Sequence, residues 1–248
     1  MNDFTGFIAV AIDGPAGVGK GTLAQNLAEA LSFVYVDTGA MYRAVAYFCL
    51  TSNIILETGP VESIINRLNI SVEFKNNSQR VKVNGADVTD KLRTPDVSEA
   101  SSKVAVIPAV REKLMKLQRK IASENNVVME GRDIGTKVLP NAQIKIYLDA
   151  SIEERARRRL KDRANIGIHA ELGAIERELK ERDYRDTRRE HSPLLRAGEA
   201  VLIDSTYMSP RQVKEIALGI VYDKTGGLYG IRYSQGDIAN CIPFSIPH

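Results

Sequence analysis

The 248-residue chain has little cysteine, no long apolar run and almost no excess of charge of either sign. Its two cysteines, Cys49 and Cys241, allow neither a disulfide framework nor a four-cysteine zinc site. No stretch approaches the roughly 20 apolar residues of a membrane span. The run Phe7–Ile12 is too short for a signal-peptide core and has no positive charge before it. Lys and Arg total 34 against 31 Asp and Glu, a net +3 that is too small to argue for a nucleic-acid or membrane partner. No internal repeat is visible. The expectation is a reduced, cytoplasmic setting. The length suits one domain with insertions, able to bury a core without staples.

What is present alternates between two patterns. Phe7–Ile12 reads as a buried strand ending at Asp13-Gly14-Pro15, and Thr22–Leu31 as a helix. Phe33–Val36 then reads as a strand and Met41–Leu50 as a helix, the α/β order that builds a parallel sheet. Ile70–Phe74 and Arg80–Val83 predict an antiparallel patch with a turn at Asn84-Gly85, inside an insert of about residues 55–100. The α/β pattern resumes with a helix over Pro108–Ala122 and strands at Val127–Met129 and Ile144–Leu148. Ser151 predicts an N-cap for a helix over Glu153–Lys161, with Glu154 completing a capping box. A long helix over Ile168–Arg189, a strand at Ala200–Ile203 and a helix over Pro210–Val221 follow. Residues 223–248 lack periodicity and read as a loose tail.

Between the first strand and helix lies Gly14-Pro15-Ala16-Gly17-Val18-Gly19-Lys20-Gly21-Thr22. The backbone N–H groups of such a loop point at phosphate oxygens, the following helix adds its positive end, and Lys20 supplies a point charge for the β/γ-phosphates. One departure stands out. The residue after the lysine is Gly21, and the hydroxyl comes one later, at Thr22. Two further segments end strands and so face the same crevice. In Asp37-Thr38-Gly39-Ala40-Met41-Tyr42-Arg43, Arg43 is either a solvated side chain or a phosphate fork. In Glu130-Gly131-Arg132-Asp133-Ile134-Gly135-Thr136, the Arg–Asp pair is either an internal ion pair or one group for phosphate and one for base or ribose.

The stripe Ile168, Leu172, Ile175, Leu179, Arg182, Asp186, Arg189 turns from apolar to charged without changing face. Either the helix overruns the domain edge, or the stripe ends in a cleft, since charges on a core-facing stripe are costly unless paired or used. Arg155, Arg157, Arg158 and Arg159 cluster, but over residues 151–190 twelve basic residues meet ten acidic ones, which disfavours a nucleic-acid patch.

Taken together, Ile12–Thr22, Val36–Arg43, Leu92-Arg93-Thr94, Val110-Arg111, Gly131–Thr136, Lys145–Ala150 with Glu153-Glu154-Arg155, Lys180–Arg189 and Leu202–Thr206 resemble the bacterial cytidylate kinase family of nucleoside monophosphate kinases. The resemblance covers about Ile8 to Val221. It implies a P-loop kinase fold: a parallel sheet core flanked by helices (residues 1–54 and 101–222), an antiparallel monophosphate-binding insert (about 55–100) and a short lid (about 155–170). It implies transfer of the ATP γ-phosphoryl group to CMP or dCMP, with Mg²⁺ held mainly by the ATP phosphates and waters. Asp37, Glu130 and Asp133 all remain open as the supporting acid.

By the same resemblance, Arg43, Arg132 and Arg189 hold the acceptor phosphate. Arg155 and Arg159, four apart on one helix face, close over ATP and the transferring group. Arg182 and Asp186 meet the ribose hydroxyls, Thr38 lines the acceptor site, and Ser102, Arg111 and Asp133 read cytosine. A carboxylate suits the cytosine amino group and would oppose the uracil carbonyl. No strong base is required, because the acceptor is an anionic oxygen, so the three histidines (His169, His191, His248) need no role. The expected partners are ATP and CMP or dCMP, with no nucleic acid, no membrane and a monomeric chain. Other P-loop small-molecule kinases share the loop but not the full set of segments. A GTPase switch is disfavoured because no Asn-Lys pair occurs.

Overall fold

The structure, a computed structural model, describes residues 6–75, 78–165 and 167–229. The first half runs β1 (Ala9–Asp13), α1 (Lys20–Leu31), β2 (Val34–Asp37), α2 (Thr38–Thr51), α3 (Thr58–Ile65), β3 (Ile70–Lys75), β4 (Ser78–Val83), β5 (Ala86–Asp87) and α4 (Pro95–Val104). The second half runs α5 (Pro108–Glu124), β6 (Val127–Gly131), a π-helical turn (Ile134–Val138), β7 (Ile144–Asp149), α6 (Ile152–Asn165), α7 (Leu172–Arg188), β8 (Val201–Asp204) and α8 (Pro210–Lys224).

The short apolar runs form a five-stranded parallel sheet in the order β2-β6-β1-β7-β8. Every residue of β1 is buried, because both faces of the sheet are covered. Ala9 and Ala11 face one core, built with Met41 and Val45 of α2 and Leu114 of α5. Val10 and Ile12 face the other, built with Leu27 of α1 and Leu218 of α8. Asp13 pairs in register with Gly131, and Asp37 with Glu130. The carboxyl ends of β1, β2 and β6 therefore form one line, and the three sequence segments that follow them share it. Among the described residues, no helix is long and apolar enough to cross a membrane.

The antiparallel sheet β3-β4-β5 forms within the expected insert. It has no core of its own: Val81, Val83 and Leu92 join the same cluster as Met41 and Met129. The Gln79 side chain docks it to the main sheet, accepting from Asp37 N at 2.8 Å and donating to Asp37 O at 3.0 Å.

Four local expectations change. Helix α2 starts at Thr38, not Met41, because Asp37 caps it by accepting from Ala40 N at 2.9 Å. The long helix expected from Ile168 begins only at Leu172. Gly167, at φ +75°, ends α6 with its N–H on Ala164 O, and the chain reverses there into a helical hairpin. The Ser151 cap forms, its hydroxyl accepting from Glu154 N at 3.2 Å, but the Glu154 carboxylate accepts from Arg158 at 3.0 Å, so the box is half made. Finally, the tail begins later than residue 223. Helix α8 runs through Lys224, Thr225 is buried, and Tyr229 packs edge-on against Phe33 at 5.1 Å. The rest of the expected tail, residues 230–248, lies outside the described residues.

Candidate active site

A cleft of about 950 Å³ opens along the line of strand ends. Residues 16–22 form one end of it, and Ser102, Arg111 and Asp133 line it as well. Thr38, Arg43, Arg132, Arg159, Arg182, Asp186 and Arg189 also line it, so the structure brings most of the expected residues together. Gly14 and Pro15 stand behind the loop. Gly14 lies against the Leu148 backbone, and the Pro15 carbonyl accepts from Lys20 Nζ at 2.7 Å.

Arg155 departs from expectation. It is buried and does not line the cleft, because α7 folds back on α6 and presents Asp183 to it. Arg155 also donates to Ala150 O at 3.0 Å and to Ala16 O at 3.1 Å. Asp183 in turn accepts from Ala16 N at 3.3 Å. One ion pair thus holds both polar groups of a single phosphate-loop residue. Arg158, which sequence reading left unassigned, also braces the loop, donating to Val18 O at 3.1 Å and to Ser205 O at 2.6 Å.

The remaining arginines differ in their partners. Arg43 pairs with Asp37 at 2.6 Å, and Arg132 with Asp186 at 2.9 Å. The Asp133 carboxylate accepts from Arg111, and from Arg189 at 3.5 Å. Arg182 has no ion pair or hydrogen bond among the described residues, and its Nε is buried without a partner. Burial, with Arg132 beside it, pulls its pKa down to about 10. Arg159 is alike: its Nε is buried and unpartnered, and burial, with Arg163 nearby, lowers its pKa. Burial, with Arg132 close, brings Lys20 down to about 7. Arg182 and Asp186 do end the apolar stripe of α7 in a cleft, since Ile175 and Leu179 below them are buried against Ala16 and Ala156.

The Gly21 departure has a steric reason. A Cβ at Gly21 would come within 2.9 Å of Glu130 Oε1. The Glu130 carboxylate reaches in from β6 and accepts from the Tyr35 hydroxyl at 2.8 Å, which fills the space a side chain at position 21 would need. Burial, with Asp37 next, raises the Glu130 pKa. Asp37, by contrast, is committed to the α2 cap and Arg43. Among the described residues no cluster of three or more His, Cys, Asp or Glu could hold a metal by itself.

The family model described as cytidylate kinase matches residues 10–223. A cytidylate kinase of Geobacillus kaustophilus is 46% identical over 220 residues, 88% of this chain and 98% of that protein. That of Carboxydothermus hydrogenoformans is 46% identical over 213 residues, 86% of this chain and 96% of its own. That of Enterococcus faecalis is 44% identical over 220 residues, 88% of this chain and 97% of its own.

Proposed function

The chain belongs to the cytidylate kinase family, and on that premise we propose how it transfers the γ-phosphoryl group of ATP to the 5′-phosphate of CMP or dCMP. The observation that carries the reading is Arg182. A half-buried guanidinium with its Nε buried and no ion pair among the described residues is costly. It lies among Arg132, Arg159 and Arg43, close to Lys20 and with the Asp186 carboxylate also near; cations outnumber that one acid, and an anionic phosphate chain is what such a group suits. That company favours the transferred phosphoryl group over a ribose hydroxyl as its partner.

Residues 16–22 hold ATP, with the loop N–H groups and Lys20 on the β- and γ-phosphates, and Gly14 and Pro15 support them from behind. Arg43, Arg132 and Arg189 hold the acceptor phosphate beside Thr38. Arg159 and Arg182 neutralise the group in flight. Asp186 accepts from the ribose. Catalysis is positioning plus charge neutralisation, and the attacking oxygen needs no base. Ser102, Arg111 and Asp133 read cytosine. A carboxylate offers about four acceptor sites, so the two arginines on Asp133 leave room for the amino group at cytosine N4. Residues 55–100 serve as the monophosphate-binding insert and residues 155–170 as the lid. Arg155 acts from behind the loop rather than over it. One chain supplies every group named, so a monomer suffices, and neither nucleic acid nor a membrane is called on.

The site fits magnesium, a hard cation that keeps waters and takes one or two protein oxygens beside phosphate. Glu130, beside Gly21, and Thr22 would hold it, and when bound it supplies charge neutralisation at the phosphates. The test is ADP production from ATP and Mg²⁺ with CMP, dCMP, UMP and AMP in turn. Turnover with CMP and dCMP well above UMP and AMP is expected, and equal rates with all four would overturn the reading.

A further inference from the structure

Asp13 is a buried carboxylate that the reading above leaves without a task. It ends β1, next to the phosphate loop. Its two oxygens accept from the backbone N–H groups of Ile134 and Gly135 at 2.8 and 2.7 Å, across more than 120 residues of chain. Those N–H groups open the π-helical turn Ile134–Val138. Asp133 precedes that turn, where a side chain ordinarily caps such groups, yet it makes no cap. Its carboxylate turns instead to Arg111 and Arg189.

We infer that Asp13 is a positioning residue for base selection: it caps the Ile134–Val138 turn from β1 and so releases the Asp133 carboxylate to face the base. The inference rests on the reading that Asp133 meets cytosine. Two aspartates divide what one would ordinarily do alone. Without the Asp13 acceptors, two buried N–H groups lose their partners, and Asp133 is the carboxylate adjacent in the chain. By turning back to cap them it leaves Arg111 and Arg189, and with them the base. The same carboxylate ties the segment carrying Arg132 to the end of β1, so donor and acceptor sites share one anchor.

The groups facing Asp13 are Asp133 before the turn, Lys20 on α1, and Tyr147 and the stem of Lys145 on β7. Burial, opposed by the two N–H bonds, brings Asp13 up to about 6. Once protonated, one oxygen carries a hydrogen and no longer accepts freely, so base selectivity weakens as pH falls through that value.

Asp13→Asn keeps the shape and sets an amide donor against one of the two N–H donors. In that variant the CMP-over-UMP ratio of kcat/KM should fall about tenfold or more, while KM for ATP moves less than about threefold. A second measurement needs no variant: between pH 8 and pH 5.5 the same ratio in the unaltered protein should fall about threefold or more. Protonation of the substrate phosphate is common to CMP and UMP and cancels. A ratio that stays put in folded Asp13→Asn overturns the inference. If that variant does not fold, a ratio flat with pH in the unaltered protein overturns it. Absence of any turnover with CMP in the unaltered protein would instead sink the kinase reading itself.

Discussion

Two sets of arginines border the phosphate loop, and they differ in what they pair with. Arg155, away from the cleft, and Arg158, at its edge, have protein partners: Asp183, Glu154, and the carbonyls of Ala16, Val18 and Ser205. Arg159 and Arg182, in the cleft, have unpartnered buried Nε atoms. All four come from one helical hairpin. A paired buried arginine fixes shape, because removing it strands its carboxylate. An unpaired one costs stability and repays it only when an anion arrives. The hairpin therefore supplies both scaffold and chemistry, and pairing distinguishes the two.

The largest expected effect tests the cleft side. Lys20→Met and Arg182→Met should each cut kcat/KM for CMP by about 10³-fold or more. Arg182→Met should leave Tm unchanged or higher, since it removes a half-buried charge that has no ion pair among the described residues. A lower Tm with activity intact would reverse the assignment. Arg155→Met should do the opposite, costing about 2–4 kcal/mol of stability in a denaturant titration, with a smaller loss of turnover. Asp133→Ala should collapse the CMP-over-UMP ratio, and an unchanged ratio would remove it from base reading.

A smaller effect concerns protonation. Burial, with Arg132 close, lowers the Lys20 pKa to about 7, into the range where its proton can be exchanged near neutral pH. Phosphate anions favour its charged form, so ATP binding should draw in a fraction of a proton, more at pH 8 than at pH 6. Calorimetry in buffers of different ionisation enthalpy measures this directly. The smallest expected effect lies far from both regions. Truncation before Lys224 removes the buried Thr225 and the Phe33–Tyr229 contact. It should cost about 1–2 kcal/mol and leave kcat within about twofold.

The parallel core was legible because each strand is a short apolar run with a turn behind it, and strand ends are where α/β sites form. That residues 16–22 and the Arg132–Asp133 segment would share one cleft was legible for the same reason. Pairing was not. Arg155 and Arg159 share a spacing that says they lie on one face, but Asp183, which captures Arg155, belongs to the returning helix. The reversal at Gly167 fell between two expected helices, and the second begins at Leu172 rather than at Ile168. Likewise, the alternation in β3 and β4 announces one buried face without saying that α2 covers it. Asp13 carried a faint signal, a carboxylate at the end of a fully apolar strand. Only its partners, 121 and 122 residues away, give that signal meaning.

The clamp on Ala16 makes a fulcrum. With both polar backbone groups of Ala16 held by the Arg155–Asp183 pair, the helical hairpin pivots about that level if it is to leave the loop undistorted. Helix α6 extends ten residues past Arg155, a lever arm of about 15 Å at 1.5 Å per residue. A tilt of about 10° would then carry its tip through roughly 2.6 Å but move Arg159, about 6 Å from the pivot, by only about 1 Å. The far end would move most, while Arg159, which lines the cleft, would move least.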